Sequence, residues 1–226
     1  MSTLTWPSAW LPSAFELRIS PNTRTFNAPY SNETQIVDLG GERWRAMVTL
    51  PPRLTEADGM AQEAFFDQLA GGINNVALWH FKRPAPRGTF AAGALPFTWT
   101  NGGAFTWTNG GAFSWTYGTA TLLSAVSVGA NTCTLRSVSG RTALAGDMLS
   151  INGETKRILA DATADGDGVL SLTFAPRARA DWNAYAAPIV TTRPTITFQI
   201  LGEVPTQWVP GSASGASFEA LEVINP

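Results

Sequence analysis

The stretch Trp44-Arg-Ala-Met-Val-Thr-Leu50 places apolar side chains at every second position, with Arg45 and Thr49 between them. A period of two puts these apolar side chains on one face of an extended chain, which is the pattern of a half-buried strand. The stretch ends at Pro51-Pro52, which interrupts strand pairing. Similar short patterns, closed by Pro, Asn or Gly, run through the rest of the chain. The sequence therefore predicts a mainly β fold.

One helix is predicted among these strands, over 55–70. Thr55 is placed to cap it, with Asp58 three residues later as in a capping box, and Gly71-Gly72 ends it. Apolar residues at helical spacing predict the face that packs on a sheet, and they are Ala57, Met60, Ala61, Ala64, Phe65 and Leu69. We expect residues 1–90 to form a β-sandwich-like domain with this single helix.

The rest of the chain is predicted to divide into an inserted module and a C-terminal segment that returns to the first domain. A linker of small residues, Phe90-Ala-Ala-Gly-Ala-Leu-Pro96, opens an all-β module over 91–186, in which Asn152-Gly153 is a strong hairpin-turn signal. Clean alternation resumes over 195–200. We therefore expect the strands of 187–226 to complete the sheet of the first domain, because an exposed loop tolerates a domain insertion.

An octad, Phe97-Thr-Trp-Thr-Asn-Gly-Gly-Ala104, recurs over 105–112 and, degraded, over 113–118. Alternation with Asn-Gly-Gly turns predicts a three-stranded meander that carries six rings on one face. These rings are Phe97, Trp99, Phe105, Trp107, Phe113 and Trp115. So short a ribbon cannot hide six rings, so we expect them to contact the parent domain, a partner subunit or a sugar surface.

Composition narrows the class of protein. Charged residues make up 14% of the 226 residues, against about 25% in ordinary soluble domains. This low charge content favours a subunit of a larger assembly over a free monomer. With a net charge of −2 and no basic stripe, sequence-specific nucleic-acid binding is not expected. The start of the chain lacks a signal-peptide pattern, and no apolar run approaches the ~20 residues of a membrane helix. We expect assembly in the cytoplasm, without membrane insertion.

Residues with catalytic or metal-binding potential are few. His80 is the only histidine and Cys133 the only cysteine, and we expect both to be structural. The stretch Asp161-Ala-Thr-Ala-Asp165-Gly-Asp-Gly168 lacks the ligand spacing of a calcium loop and predicts a tight turn. Candidate carboxylates for glycoside chemistry, namely Glu33, Asp38 and Glu42, lie in ordinary β and turn context. No catalytic residue, cofactor or metal is predicted, and we do not expect an enzyme.

A resemblance accompanies several of these motifs. The motifs in question are Trp6-Pro7, Ser31-Asn-Glu-Thr-Gln35, Gly41-Glu-Arg-Trp44 with its strand, the helix before Gly71-Gly72, and Pro84-Ala-Pro-Arg87-Gly88. In this order they resemble the N-terminal domain of distal tail and related minor tail proteins of long-tailed, non-contractile bacteriophages. The later Ala145-Gly-Asp147 and Phe174-Ala-Pro176-Arg177 resemble a β module common in phage tail proteins.

The resemblance implies a ring-forming adaptor, typically a hexamer, at the tip of a virion tail. Its partners would be other copies of itself, the tail tube protein on one side, and hub or fibre-bearing proteins on the other. The octad is not part of the family pattern. It leaves open a different class of protein, a carbohydrate-binding module in which Trp99, Trp107 and Trp115 stack on a host-surface glycan. A cell-wall-degrading enzyme would need a carboxylate pair that the sequence does not identify.

Overall fold

The computed structural model describes residues 2–27, 33–53, 55–91, 120–204, 208–209, 212–213 and 215–224. The chain forms two compact units, one of Met1–Pro84 with Thr195–Pro226 and the other of Ala85–Pro194. The chain passes between them after Pro84 and after Pro194, where the sequence had suggested 90 and 186. The predicted mainly β fold is confirmed.

The N-terminal part of the first unit contains six strands and one α-helix. In chain order these elements are β1 (Thr3–Thr5), β2 (Ala14–Ser20), β3 (Thr23–Asn27), β4 (Thr34–Asp38), β5 (Arg43–Thr49), α1 (Glu56–Gln68), a 3-10 turn (Ala70–Gly72) and β6 (Asn75–Leu78).

The second unit and the C-terminal return contain the remaining strands. The second unit has β7 (Thr121–Leu122), β8 (Thr132–Arg136), β9 (Thr142–Ala143), β10 (Met148–Ile151), β11 (Glu154–Ile158), β12 (Ala162–Thr163), β13 (Val169–Ala175) and β14 (Ile189–Val190). The return has β15 (Ile196–Leu201), β16 (Trp208–Val209), β17 (Ser212–Ala213) and β18 (Ser217–Glu222).

The main sheet of the first unit has six strands in the order β1-β6-β15-β18-β5-β2. Strand β1 runs parallel to β6, and the other neighbours are antiparallel. The C-terminal strands β15 and β18, which the sequence predicted only to complete the sheet of the first domain, thus lie in its middle. In β5, Trp44, Ala46 and Val48 are fully buried, so the period of two in the opening stretch is confirmed.

Helix α1 begins as the sequence predicted but turns a different face inward. The Thr55 hydroxyl caps it by accepting a hydrogen bond from the Asp58 N–H at 3.2 Å. The buried stripe consists of Gly59, Gln62 and Phe66, with Leu69 buried just beyond the helix, whereas Met60 is 58% exposed. The predicted inward position of Met60 was therefore wrong, as were those of Ala57, Ala61 and Ala64, which are exposed.

Two contacts explain this rotation of the helix. The Phe66 ring lies 5.5 Å from that of Phe218 on β18, which brings position 66 rather than 64 onto the sheet. Gln62 is buried because its side-chain oxygen accepts a hydrogen bond from Arg53 Nε at 2.9 Å. A count of apolar residues cannot anticipate a buried glutamine whose partner lies outside the helix.

The second unit is built on a separate antiparallel sheet, in the order β14-β10-β11-β13-β8-β7. Its core is apolar and includes Phe90, Leu135, Ile151 and Phe174. Strands β10 and β11 are joined by Asn152-Gly153, which have φ of 52° and 81°. Positive φ at both positions is what a type I′ turn requires, so the hairpin predicted from this dipeptide is confirmed.

Candidate assembly interface

Strands β3 and β4 form a two-stranded ribbon, which we call the arm (Thr23–Asn27 and Thr34–Asp38). Nine of its ten strand residues are exposed and Val37 is half-buried. Phe26 is 52% exposed and Ile36 is 67% exposed. Phe26 pairs with Gln35, and Ile36 pairs with Thr25, so the two apolar side chains lie on opposite faces. An isolated two-stranded ribbon is marginally stable in water, so a packing partner would stabilise it.

The arm continues the β2–β5 pair through an irregular joint. Two residues, Pro21 and Asn22, connect β2 to β3, but four residues connect β4 to β5. The Asn22 Nδ2 donates to the Gly40 carbonyl at 2.7 Å, and the Gly40 N–H donates to the Asp38 carboxylate at 2.9 Å. Gly40 and Gly41 have φ of 66° and 73°, which an L side chain rarely adopts. The joint is therefore a bulge that sets the direction of the arm.

A second surface of the first unit consists of aromatic rings grouped around Trp6, which is 1% exposed. Four half-buried rings lie around it, three in contact with Trp6 and the fourth beyond them, and we call them the aromatic patch: Trp10, Phe15, Phe65 and Phe81. The Trp6 ring lies 5.9 Å from Trp10, 5.7 Å from Phe65 and 6.0 Å from Phe81. Phe15 joins the patch through Phe81, at 5.0 Å. These edge-to-face contacts hold the partly exposed rings in fixed positions.

The margin of the aromatic patch carries a cation. The Arg53 guanidinium lies 5.2 Å from the centre of the Trp10 ring, and Arg53 Nε also bonds Gln62. Trp6 Nε1 donates to the Trp10 carbonyl at 2.8 Å, so the indole of Trp6 is fixed as well. Aromatic residues and arginine are enriched at the cores of protein interfaces, and this group has that composition.

The six rings that the sequence singled out in the octads lie outside the described residues. They are Phe97, Trp99, Phe105, Trp107, Phe113 and Trp115. The chain on either side of them belongs to the second unit. Phe90 is fully buried there, its N–H bonding the Thr142 carbonyl at 3.0 Å, and Ala120 is 6% exposed next to β7. The described residues on the two sides of the octads, Phe90 and Ala120, are thus both part of the core of the second unit.

A buried carboxylate attaches the first residues of the second unit to its core. Asp147 is 3% exposed, and it accepts hydrogen bonds from the N–H groups of Arg87 and Gly88, both at 2.9 Å, and of Leu144 at 3.1 Å. Arg87 also donates to the Ala145 carbonyl. The motifs Arg87-Gly88 and Ala145-Gly-Asp147, distant in sequence, thus form one contact. This contact explains why residues 85–90 belong to the second unit.

A buried ion pair holds the loop after β13. Lys156 is fully buried, and its Nζ donates to Glu154 Oε2 at 2.7 Å and to the Arg177 carbonyl at 2.8 Å. The Glu154 carboxylate also accepts from the Arg179 N–H at 3.0 Å and from Trp182 Nε1 at 3.2 Å. Because both charges are hydrogen-bonded on several sides, the pair is suited to a structural role rather than to proton transfer.

The other residues considered for chemistry lie in structural surroundings. The His80 ring lies 5.3 Å from that of Phe15, beside the aromatic patch. Cys133 is buried in β8, and burial raises the pKa of its thiol to about 12. Asp165 accepts hydrogen bonds from the N–H groups of Asp167 and Val169, at 3.0 and 2.8 Å, which is the tight turn that the sequence predicted. Within the described ranges, no three His, Cys, Asp or Glu side chains are grouped to hold a metal ion.

Sequence reasoning missed the arm and the aromatic patch as surfaces. For the arm, the sequence signals are Pro21-Asn22 and Gly40-Gly41, which mark the two sides of its joint.

Among the residues that the structure describes, no helix has the length and apolar character needed to cross a bilayer. Comparison of the chain with models of known protein families and with curated proteins finds no match.

Proposed function

We propose that this chain is a structural subunit of a bacteriophage tail tip and assembles into a closed ring, with six copies expected. The ring would join the tail tube to the hub and the host-recognition apparatus, and the protein would reside in the virion. The first unit would form the ring. The second unit, with the octads, would carry contacts to a neighbouring tail protein. The chain would act by binding its neighbours and not by catalysis.

The observation that carries this proposal is the arm. Nine of its ten strand residues are exposed, and these include the apolar Phe26 and Ile36. Exposing apolar side chains on a marginal ribbon is unfavourable for an isolated monomer and favourable where another copy covers them. The low charge content of 14% supports the same conclusion, since interface cores are depleted in charged residues. The resemblance of residues 1–90 to tail-tip proteins supplies the biological setting.

The proposal is tested by the mass of the purified full-length chain, measured by light scattering over a range of concentrations and checked in negative-stain images. We expect rings with a mass about six times the 24.1 kDa of one chain. Gold-labelled antibody against the chain should mark the tail tip of virions of a phage that encodes it. A monomer at all concentrations, together with virions that carry no label, would contradict the proposal.

The octads support a second proposal, that the chain binds a glycan of the host surface. Six rings alternate with hydroxyl residues over 97–116, between Phe90 and Ala120 of the second unit. Aromatic faces bind the apolar faces of sugar rings, and neighbouring hydroxyls can hydrogen-bond their edges. This binding is compatible with a place at the tail tip, where host contact occurs.

A further inference from the structure

The first unit carries two apolar surfaces of different shape, the arm and the aromatic patch. The arm presents single apolar side chains, with Phe26 on one face and Ile36 on the other. The aromatic patch presents two pairs of half-buried rings, Trp10 with Phe65 at 5.3 Å and Phe15 with Phe81 at 5.0 Å. The buried Trp6 links the two pairs, at 5.7 to 6.0 Å from Trp10, Phe65 and Phe81. We propose that the arm of one copy packs on the aromatic patch of the next copy, with Phe26 against the patch rings. This inference rests on the proposed ring and names its repeating contact.

The arm does not cover the aromatic patch of its own chain. Phe15 is the second residue of β2 and pairs with Val48, whereas the arm starts at Thr23, beyond the far end of β2 at Ser20. Along β2 alone, Phe15 and Ser20 are five residues apart, or about 17 Å at the rise of an extended strand. An arm folded back over that distance would bury its residues on the sheet. Nine of its ten strand residues are exposed instead.

The two surfaces suit each other chemically. An additional ring can make the same edge-to-face contacts with the patch that its own members make with one another. Trp10, with Arg53 stacked on its ring, has the composition of an interface hot spot. The patch rings are positioned by the buried Trp6, so ordering them on binding costs little entropy.

The contact would also explain closure of a ring. The arm and the patch are different surfaces, so their contact is head-to-tail, and each copy still has one of each to offer. Such a contact propagates from copy to copy, and it gives a closed ring when the rotation between neighbours brings the last copy to the first. Pairing of two arms, or of two patches, would instead stop at a dimer.

The test uses one variant for each surface in the full-length chain. Phe26→Asp places a negative charge on the arm, and Phe81→Asp places a charge of the same sign on the patch, beyond the end of β6. Because the two charges repel, one altered surface cannot bind the other. Either change should weaken association by at least about 30-fold and convert rings into monomers. The matched control is Ile73→Asp, because Ile73 is 63% exposed but belongs to neither surface, and it should leave the rings intact.

Mixing the two variants gives the sharper result. Each variant retains one intact surface, so an equimolar mixture should form a species of twice the monomer mass and nothing larger. Loss of folding does not produce this result, and circular dichroism of each variant provides the folding check. If both variants still form rings, the arm–patch contact is wrong while the ring stands. If both are monomeric and the mixture stays monomeric, the contact is also overturned.

A disulfide experiment is independent of disruptive substitutions. Phe26→Cys combined with Phe81→Cys should give a ladder of linked chains under mild oxidation, because the two positions meet across the interface. The native Cys133 is buried and will not contribute. Phe26→Cys combined with Ile73→Cys is the control and should give no ladder. Rings of the wild-type chain without a Phe26–Phe81 ladder would exclude this contact, and a wild type that is monomeric would overturn the ring proposal itself.

Discussion

The Gly88 N–H donates a hydrogen bond to Asp147 Oδ2 at 2.9 Å, in a place where the backbone leaves no room for a side chain. A Cβ at position 88 would lie 2.3 Å from the Thr142 carbonyl oxygen. The hydrogen bond therefore depends on a close approach of the two backbone segments that only glycine permits at position 88. The pair anchors the start of the second unit on its core.

Replacement of Asp147 by Ala should destabilise the second unit by at least about 3 kcal/mol, because three backbone N–H groups lose a buried acceptor. Gly88→Ala should act in the same direction through its steric clash. Calorimetric unfolding of the full chain measures both effects. Asp167→Ala, at an exposed carboxylate, is the control. Equal transition temperatures for Asp147→Ala and the control would contradict the anchoring role.

The buried ion pair predicts a non-additive result. Lys156→Met leaves the half-buried Glu154 carboxylate without its cation, and Glu154→Gln leaves the fully buried Lys156 ammonium without its anion. Each single change should cost about 3–5 kcal/mol of unfolding free energy. The double variant should lose less than the sum of the two, because no unpaired charge is buried. Fully additive losses in a double-mutant cycle would indicate that the two charges do not stabilise each other.

Cys133 predicts a pH dependence of stability. Its pKa of about 12 in the folded chain lies above the 9.0 of an exposed thiol, so the unfolded chain releases this proton first. The stability contributed by the protonated thiol is complete below about pH 9 and falls as the pH rises towards 12. Between pH 9 and 10 the wild type should lose about 1 kcal/mol more than Cys133→Ala. Denaturant titrations at the two pH values provide the comparison, and equal losses would be inconsistent with a buried thiol.

The glycan proposal predicts that Trp107→Ala weakens binding to host lipopolysaccharide or capsule by roughly 10-fold or more, because a stacking ring is lost. Surface plasmon resonance on purified polysaccharide measures the change. Ile73→Ala, at an exposed apolar residue outside the octads, is the control and should leave binding unchanged. Wild-type protein that binds none of the host polysaccharides would eliminate this proposal.

The sequence predicted the elements whose side chains alternate between core and solvent. The pattern of Trp44 to Leu50, the Thr55 cap and the Asn152-Gly153 turn each depend on residues close in sequence, and each was confirmed. The inward face of α1 was wrong at Met60 because a distant ring, Phe218, rotates the helix.

The arm was missed for a different reason. The usual strand signal is an alternation of apolar and polar residues, and it arises when one face of the strand is buried. Both faces of the arm are exposed, so Thr23–Asn27 lacks this alternation. The hydrogen bond from the Arg87 N–H to the Asp147 carboxylate joins residues sixty positions apart, so no short sequence pattern around either residue predicts it. The octads were the most conspicuous feature of the sequence, and their predicted contacts stay a prediction.

The central position of β15 and β18 has a consequence for synthesis of the chain on the ribosome. Strands β5 and β6 have no neighbour to pair with on their inner edges until β15 and β18 have been translated, after the whole second unit. A nascent chain can therefore complete the second unit first, while the earlier strands wait for their partners. Any surface that depends on the finished first sheet becomes available only at the end of translation. The order of strands would thus delay the proposed self-association until the C-terminal strands have been made.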